Sequence, residues 1–252
     1  KRKDIYNSII PQILEKVNTN QLKRSKMKII DAKNREKWDQ FVTSHPEANF
    51  LQSWDFYEFH RSRGNEIVRR VALDDNGEIV AAYAGVVEDA KRGRHLAVAG
   101  GPILNWGQLE LVEAIFRDMA EQGKTHKCVF VRVRPQLERS IESLELMRRL
   151  GAKPAPMYLS VEFAGVLNLE KDEDEILKGM RQRLRRALRK GAKNGIEIEK
   201  STDPQDIHEF YEIQKQTAGR HGFVAFSEDF LTKQFSAFAK HGEAVLYSAK
   251  YQ

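Results

Sequence analysis

Cysteine is almost missing from this chain: Cys128 is the single one in 252 residues. That excludes an internal disulfide framework and fits a reducing, cytoplasmic setting. Cys128 lies in the apolar run CVFVRV, which suits a small buried hydrophobe better than a nucleophile. Long apolar runs are missing too, and none approaches the roughly 20 residues that span a bilayer. The N-terminus, KRKDIYNSIIPQILEKV, carries charge but no sustained apolar stretch of the kind a secretory signal needs. Nor are there signatures of nucleotide or metal chemistry: no G-x-x-x-x-G-K-[ST], no G-x-G-x-x-G and no H-E-x-x-H. The seven histidines are scattered without ligand spacing, and Ser53 and Ser160 lie outside a G-x-S-x-G frame. Neither a cofactor nor a metal is expected.

What is present describes a globular protein, with 41% hydrophobic and 31% charged residues. The length suits one large or two small domains with a substantial core. The formal net charge of +6 is concentrated in one place. Between Lys178 and Lys193 lie eight cations and no acid; without them the chain stands at −2. On a helical projection Leu177, Met180, Leu184 and Leu188 form an apolar stripe fit to dock on a core. Arg181, Arg185, Arg189 and Lys193 form an i, i+4 ladder, with Arg183, Arg186 and Lys190 beside it. Like-charge pairs at that spacing cost about 0.2–0.5 kcal/mol each, so the ladder weakens the helix that carries it. Gly195 offers a left-handed C-cap. A solvated face is the bland reading, but such faces mix signs. A polyanion is the expected partner, with RNA, a phosphorylated substrate and a membrane surface as the candidates.

In chain order, residues 1–26 read as a short amphipathic helix and a polar tail, an extension before Met27. A strand at 28–31 leads to a helix at 34–44, closed by His45-Pro46. Ser53 caps a second helix that ends at Gly64. Strands at 67–74 and 78–88 flank Asp75-Asn76-Gly77, a hairpin signal. A strand at 94–99 leads to Gly100-Gly101-Pro102, read as a turn. A helix at 107–122 presents Leu109, Val112, Ile115, Phe116 and Met119 on one face. A strand at 128–133, a helix at 138–149 and an extended stretch at 157–168 follow. Beyond the basic run, strand 196–200, helices 203–218 and 227–239 and strand 243–250 repeat the opening order. The expectation is an α+β (mixed α/β) protein. Its first domain, 27–169, resembles an acetyltransferase-type (GNAT-like) fold. Residues 170–252 hold the basic helix and the beginning of a second such half, which stops on a strand whose hairpin partner is absent and looks truncated. A true acetyltransferase also needs a Q/R-x-x-G-x-G/A turn for the coenzyme A pyrophosphate. The nearest candidate here, Arg61 to Glu66, ends in glutamate and closes a helix.

Several short segments carry a closer resemblance. The run Met180-Arg181-Gln182-Arg183-Leu184-Arg185-Arg186-Ala187-Leu188-Arg189-Lys190-Gly191-Ala192-Lys193-Asn194-Gly195-Ile196 is similar, without gaps, to M-R-x-K-T-R-x-N-I-R-x-A-x-K-x-G-V. That pattern belongs to the Fem family of aminoacyl-tRNA-dependent peptidoglycan transferases. Its threonine is Leu184 here and its asparagine Ala187. Further matches are Phe50-Leu51-Gln52-Ser53-Trp54, Gly101-Pro102-Ile103-Leu104, Val131-Arg132-Val133-Arg134-Pro135, Val166-Leu167-Asn168-Leu169 and the run from Thr217 to Phe223. The resemblance implies transfer of an amino acid from aminoacyl-tRNA to the stem peptide of a peptidoglycan precursor, nucleotide- or lipid-linked. The setting it implies is cytoplasmic, at the inner membrane face, with no DNA partner. It implies precursor binding by Trp54, Tyr57, His60, Arg132 and Phe226. It implies tRNA binding by Arg181, Arg183, Arg185, Arg186, Arg189, Lys190 and Lys193. An aminoacyl ester is already activated, so neither ATP nor coenzyme A is required. Two departures bear on specificity: His60 stands where some members have a phosphate-gripping cation, and Ala225 or Phe226 where some have an arginine. For Trp54, Phe56 and Tyr57 core packing is the competing role, and for Arg132 a solvated sheet face. The rival functions are an N-acyltransferase with another donor and a non-catalytic RNA-binding module.

Overall fold

The computed structural model describes residues 27–155 and 165–251. The expected N-terminal helix and most of the extended stretch at 157–168 lie outside them. The first sheet runs β1 (Lys28–Asp31), β2 (Glu66–Leu73), β3 (Ile79–Ala90), β4 (Gly93–Ala99) and β6 (Phe130–Arg134), with β5 (Ile103–Leu104) pairing β3 off this path. Neighbours are antiparallel except β4 and β6, which run parallel from His95↔Phe130 to Ala99↔Arg134. That one parallel pair needs a crossover, supplied by α3 (Leu109–Thr125). α1 (Arg35–Ser44) and α2 (Trp54–Ser62) cover the opposite face, and α4 (Ile141–Arg149) follows β6. This is the GNAT-like order expected from the sequence.

Local chemistry accounts for the boundaries. The Asn34 side chain accepts from Lys37 N at 2.8 Å, and Ser53 from Phe56 N at 3.2 Å, each satisfying an orphan donor of a first turn. Asp74 accepts from the amides of Asn76 and Glu78, and Gly77 takes φ +81°, which closes the β2–β3 hairpin. Central strand β3 is apolar on both faces because helices cover both. On α3 the buried residues are Leu111, Val112, Ile115 and Met119, so Leu111 takes the inward place expected of Leu109.

One side chain joins the helices to the sheet. Gln52 is fully buried between α1, α2, β3 and β4. Its Nε2 donates to Ala99 O at 2.7 Å, Tyr57 Oη at 2.9 Å and Ala84 O at 3.1 Å. Its Oε1 accepts from Ala84 N at 2.8 Å, and its backbone carbonyl accepts from the Trp38 indole at 2.8 Å. A Cβ on Gly101 would meet the same carboxamide at 2.7 Å, so the glycine there leaves room for it.

A second, two-stranded sheet pairs β7 (Ile196–Ser201) with β8 (Leu246–Tyr251) antiparallel. Between them lie α7 (Ile207–His221) and α8 (Glu228–Ala239), so strand, helix, helix, strand recurs with the same strand pairing as β1, α1, α2 and β2. The basic run departs from expectation. It is two helices, α5 (Glu173–Gly179) and α6 (Gln182–Lys193), broken where Met180 and Arg181 take extended ψ values of 148° and 142°. Arg185 Nη1 donates across the break to Lys178 O at 2.8 Å, satisfying a carbonyl that the broken helix leaves orphaned. The apolar stripe is not buried either: Leu184 and Leu188 are 49% and 48% exposed, and Leu177 is also exposed. α6 lies against the start of β7, with Gly191 beside Ile196. Gly195, at φ +76°, is the left-handed residue after the helix, as its sequence position suggests.

Replacing Gln52 by leucine should cost on the order of 3 kcal/mol, because the Ala84 amide and the Ala84 and Ala99 carbonyls lose a buried partner without gaining water. Urea unfolding of the variant against the parent measures it; a difference below about 1 kcal/mol would assign the hub to packing alone.

Candidate functional site

The two sheets' helices meet along a seam between α2 and α8. At one end Arg35, in the first turn of α1, binds Asp55 of α2 at 2.6 Å and Asp39 at 3.1 Å. The loop after α8 brings two further partners to the same guanidinium. Nη1 donates to His241 Nε2 at 2.7 Å, and Glu243 stands 3.7 Å away. Accepting there requires His241 to be neutral at Nε2. Asp55 is 1% exposed, and its Oδ1 has no hydrogen-bond partner although His241 Nε2 is 3.7 Å off. In the middle of the seam Phe50 meets Phe238 edge to face at 6.4 Å.

At the other end the rings form a continuous row. His60 packs on Phe59 at 4.8 Å, Phe59 meets Phe230 edge to face at 5.0 Å, and Phe226 stacks on Phe230 at 4.5 Å. The Arg63 guanidinium lies 4.7 Å over Phe230 and 5.6 Å from Phe59, a cation resting on rings from both sides. Among the described residues Arg63 has no carboxylate partner. Burial lowers the His60 pKa to about 4, the Arg63 charge adds to that, and the nearby Asn65 amide offsets part of it. His60 is therefore neutral at pH 7, and its Nδ1 is buried without a partner.

The residues nominated for the precursor divide three ways. His60 and Phe226, from different helices and 166 positions apart by subtraction of their numbers, come to one ring row. Tyr57 does not: it is 0% exposed, with Oη donating to Ala84 O at 2.6 Å, and burial raises its pKa. Its role is core packing, a correction to the precursor role. Trp54, half-buried, takes the Arg69 guanidinium at 3.5 Å over its ring and packs edge to face on Trp38. Arg132 lies on β6, opposite Ala97, on the sheet face that α1 and α2 share but two strands beyond β3. The structure does not bring it to the ring row. Sequence reasoning missed Phe59, Phe230 and the Arg35–Asp55–His241 contact. The signal for Phe230 was the apolar side of α8 that faces α2.

On the basic run, Arg181, Arg183, Arg186, Arg189, Lys190 and Lys193 are exposed, whereas Arg185 is half-buried and tied to Lys178. Arg185 thus closes the helix break, and the other six cations are exposed. Elsewhere a surface hollow of about 590 Å³ opens between β1 and α1, lined by Lys33, Lys37, Arg70 and Ile79 among others; it holds none of the nominated residues. The described residues hold no cluster of three or more metal-ligating side chains. Among them, no helix is long and apolar enough to cross a membrane.

Because the folded pKa of His60 lies near 4 and the ordinary value is 6.5, the unfolded chain binds more protons between those limits. Stability should therefore fall as pH drops from about 6.5 toward 4. His60→Gln should flatten that part of the profile, as read by urea midpoints at pH 7 and pH 5. Parallel profiles for variant and parent would mean that His60 titrates normally.

Comparison with known proteins places this geometry. The model of the FemAB family matches residues 34–145 and 153–251. Lipid II:glycine glycyltransferase of Staphylococcus aureus is 23% identical over 223 residues, covering 84% of this chain and 52% of that protein. The same enzyme from the bovine strain RF122 / ET3-1 is 24% identical over the same span. The chain thus spans about half the length of the curated relatives it matches. The crystal structure of FemX superposes with a TM-score of 0.75 at 22% identity, over 89% of this chain and 58% of that one, a likeness of fold. The family match runs through both sheets and the seam between them, and the chain belongs to the FemAB family.

Proposed function

We propose that this chain is part of a transferase that moves an amino acid from aminoacyl-tRNA to an amine on the stem peptide of a lipid-linked peptidoglycan precursor. The observation that carries the reading is the seam: a neutral, aromatic row built from both units, with Arg63 at its mouth and an acid-free basic helix in the same chain. The Staphylococcus aureus relatives support a lipid II acceptor and glycine as the amino acid.

The reaction asks little of acid–base chemistry. The acceptor amine nitrogen attacks the ester carbonyl, a C–N bond forms, the C–O bond to the ribose breaks, and the proton leaves with the ribose hydroxyl. The ester is activated beforehand, so positioning and a neutral amine matter most; an ordinary lysine-type amine, pKa near 10.4, is protonated at pH 7. A row of rings flanked by neutral His60 offers no carboxylate to hold that amine charged. Arg63 supplies a cation for a precursor phosphate in place of the neutral histidine, and Phe226 offers a face for packing. Arg181, Arg183, Arg186, Arg189, Lys190 and Lys193 hold RNA phosphates, while Arg185 keeps the helix break in shape.

The decisive test offers the chain glycyl-tRNA or acetyl-coenzyme A with a lipid-linked precursor, and follows label in the stem peptide. Transfer from the tRNA alone is expected; transfer only from coenzyme A, or RNA binding with no transfer from either, would replace this reading with one of its rivals. Binding of tRNA should weaken with salt. Arg186→Gln with Arg189→Gln should make the slope of log K against log salt shallower by roughly 1.5, at 0.7–0.9 for each phosphate no longer neutralised. Both positions are exposed, so the folding midpoint should stay level; an unchanged slope would remove the helix from the RNA interface.

A further inference from the structure

The loop joining α7 to α8 is built the wrong way round for water. Gly222, at φ +71°, turns the chain out of α7, and Ser227 caps α8 by accepting from Phe230 N. Between them stand Phe223, Val224, Ala225 and Phe226, and the three large ones are 49%, 98% and 58% exposed. Loop tips ordinarily carry polar residues, and contiguous exposed apolar side chains mark an interaction surface. The approach to the loop is basic, although Glu228 and Asp229 open α8 just behind it. From Ile213 to Ser227 there is no acid, and Arg220 and His221 are exposed just before the turn. Arg63 lies over Phe230, on which Phe226 stacks, while Arg61, two residues earlier, is paired with Glu58 at 3.2 Å. Among the described residues neither Arg63 nor Arg220 is paired with a carboxylate.

We infer that the loop Phe223–Phe226 dips into the interface of an anionic bilayer, with Arg63 and Arg220 at the level of the lipid phosphates. Apolar tips rimmed by cations suit that boundary, where chains bury apolar area while headgroups attract the charge. A polypeptide partner would need acidic side chains around an apolar patch; an anionic lipid surface supplies both features continuously. The placement also has a use, which rests on the function proposed above. An acceptor carried by lipid must reach the ring row without leaving its membrane, and Phe226 belongs to both the loop and the row. The loop therefore sets the height of the seam above the bilayer and favours lipid-linked over nucleotide-linked acceptors.

The test is partition onto vesicles of phosphatidylglycerol and phosphatidylethanolamine, with phosphatidylcholine vesicles for comparison. The chain should sediment with the anionic vesicles and much less with the neutral ones. Val224→Asp should lower that partition by about tenfold or more, since one charge replaces an apolar side chain at the tip. Val224 is 98% exposed, so the thermal midpoint should not move. Phe223→Trp should show a blue shift and quenching by brominated lipid, which locates the loop directly. With transfer assays, Val224→Asp should lose activity toward acceptor in vesicles and keep it toward a water-soluble nucleotide-linked acceptor. Equal partition of parent and Val224→Asp, or no quenching at position 223, overturns the proposal. So does a concentration-dependent dimer abolished by Val224→Asp without vesicle binding, which would assign the loop to a second copy. Transfer to neither acceptor sinks the functional reading, and the vesicle result still decides this one.

Discussion

The seam depends on a buried carboxylate and the arginine that answers it. Asp55 sits in the first turn of α2, almost fully buried, where the positive helix end favours a negative charge. A charge taken that far from water needs a partner, and breaking such a pair costs several kcal/mol because the other charge is left stranded. Arg35 provides the partner from α1 and then reaches His241 and Glu243 beyond α8. One guanidinium therefore joins two helices of the first unit to the loop of the second. The ring row lies on the other side of that joint. Its one contact between the units, Phe59 on Phe230 at 5.0 Å, holds only while α2 and α8 stay in register.

The first unit was largely legible in the sequence because its elements announce themselves locally. Asn34 and Ser53 cap helices, Asn76-Gly77 turns a hairpin, and β3 reads as an apolar run because both its faces are covered. None of those signals requires knowledge of what is far away in sequence. The site was less legible for the converse reason. Tyr57 and Trp54 are large aromatics on the helix that faces the seam, but a helix has two sides. Tyr57 turns to the core because Gln52 and the Ala84 carbonyl satisfy its hydroxyl there. Phe59 and Phe230 turn to one another, a contact that no pattern within either helix encodes.

The basic run shows where pattern and energetics part. Spacing of three and four suggested one long amphipathic helix from Leu177; α6 keeps the helix over Gln182–Lys193, but its leucines are half-exposed. The break at Met180-Arg181 comes from terms a projection does not weigh. Gly179 has low helix propensity, and a ladder of like charges would accumulate repulsion with each added turn. Breaking the helix exposes carbonyls at its end, and Arg185 turns back to one of them. A residue counted as a ligand for a polyanion is therefore committed to shape. Its six exposed neighbours remain, now on a shorter helix whose direction is set by the break rather than by α5.

That division of labour has an electrostatic consequence. With eight cations and no acid between Lys178 and Lys193, the basic run carries a concentrated positive charge. The seam uses charge differently. There His60 is held neutral by burial and by Arg63, and Arg63 itself rests on aromatic faces rather than on a carboxylate. α6 thus concentrates positive charge, whereas the ring row carries one cation resting on aromatic faces.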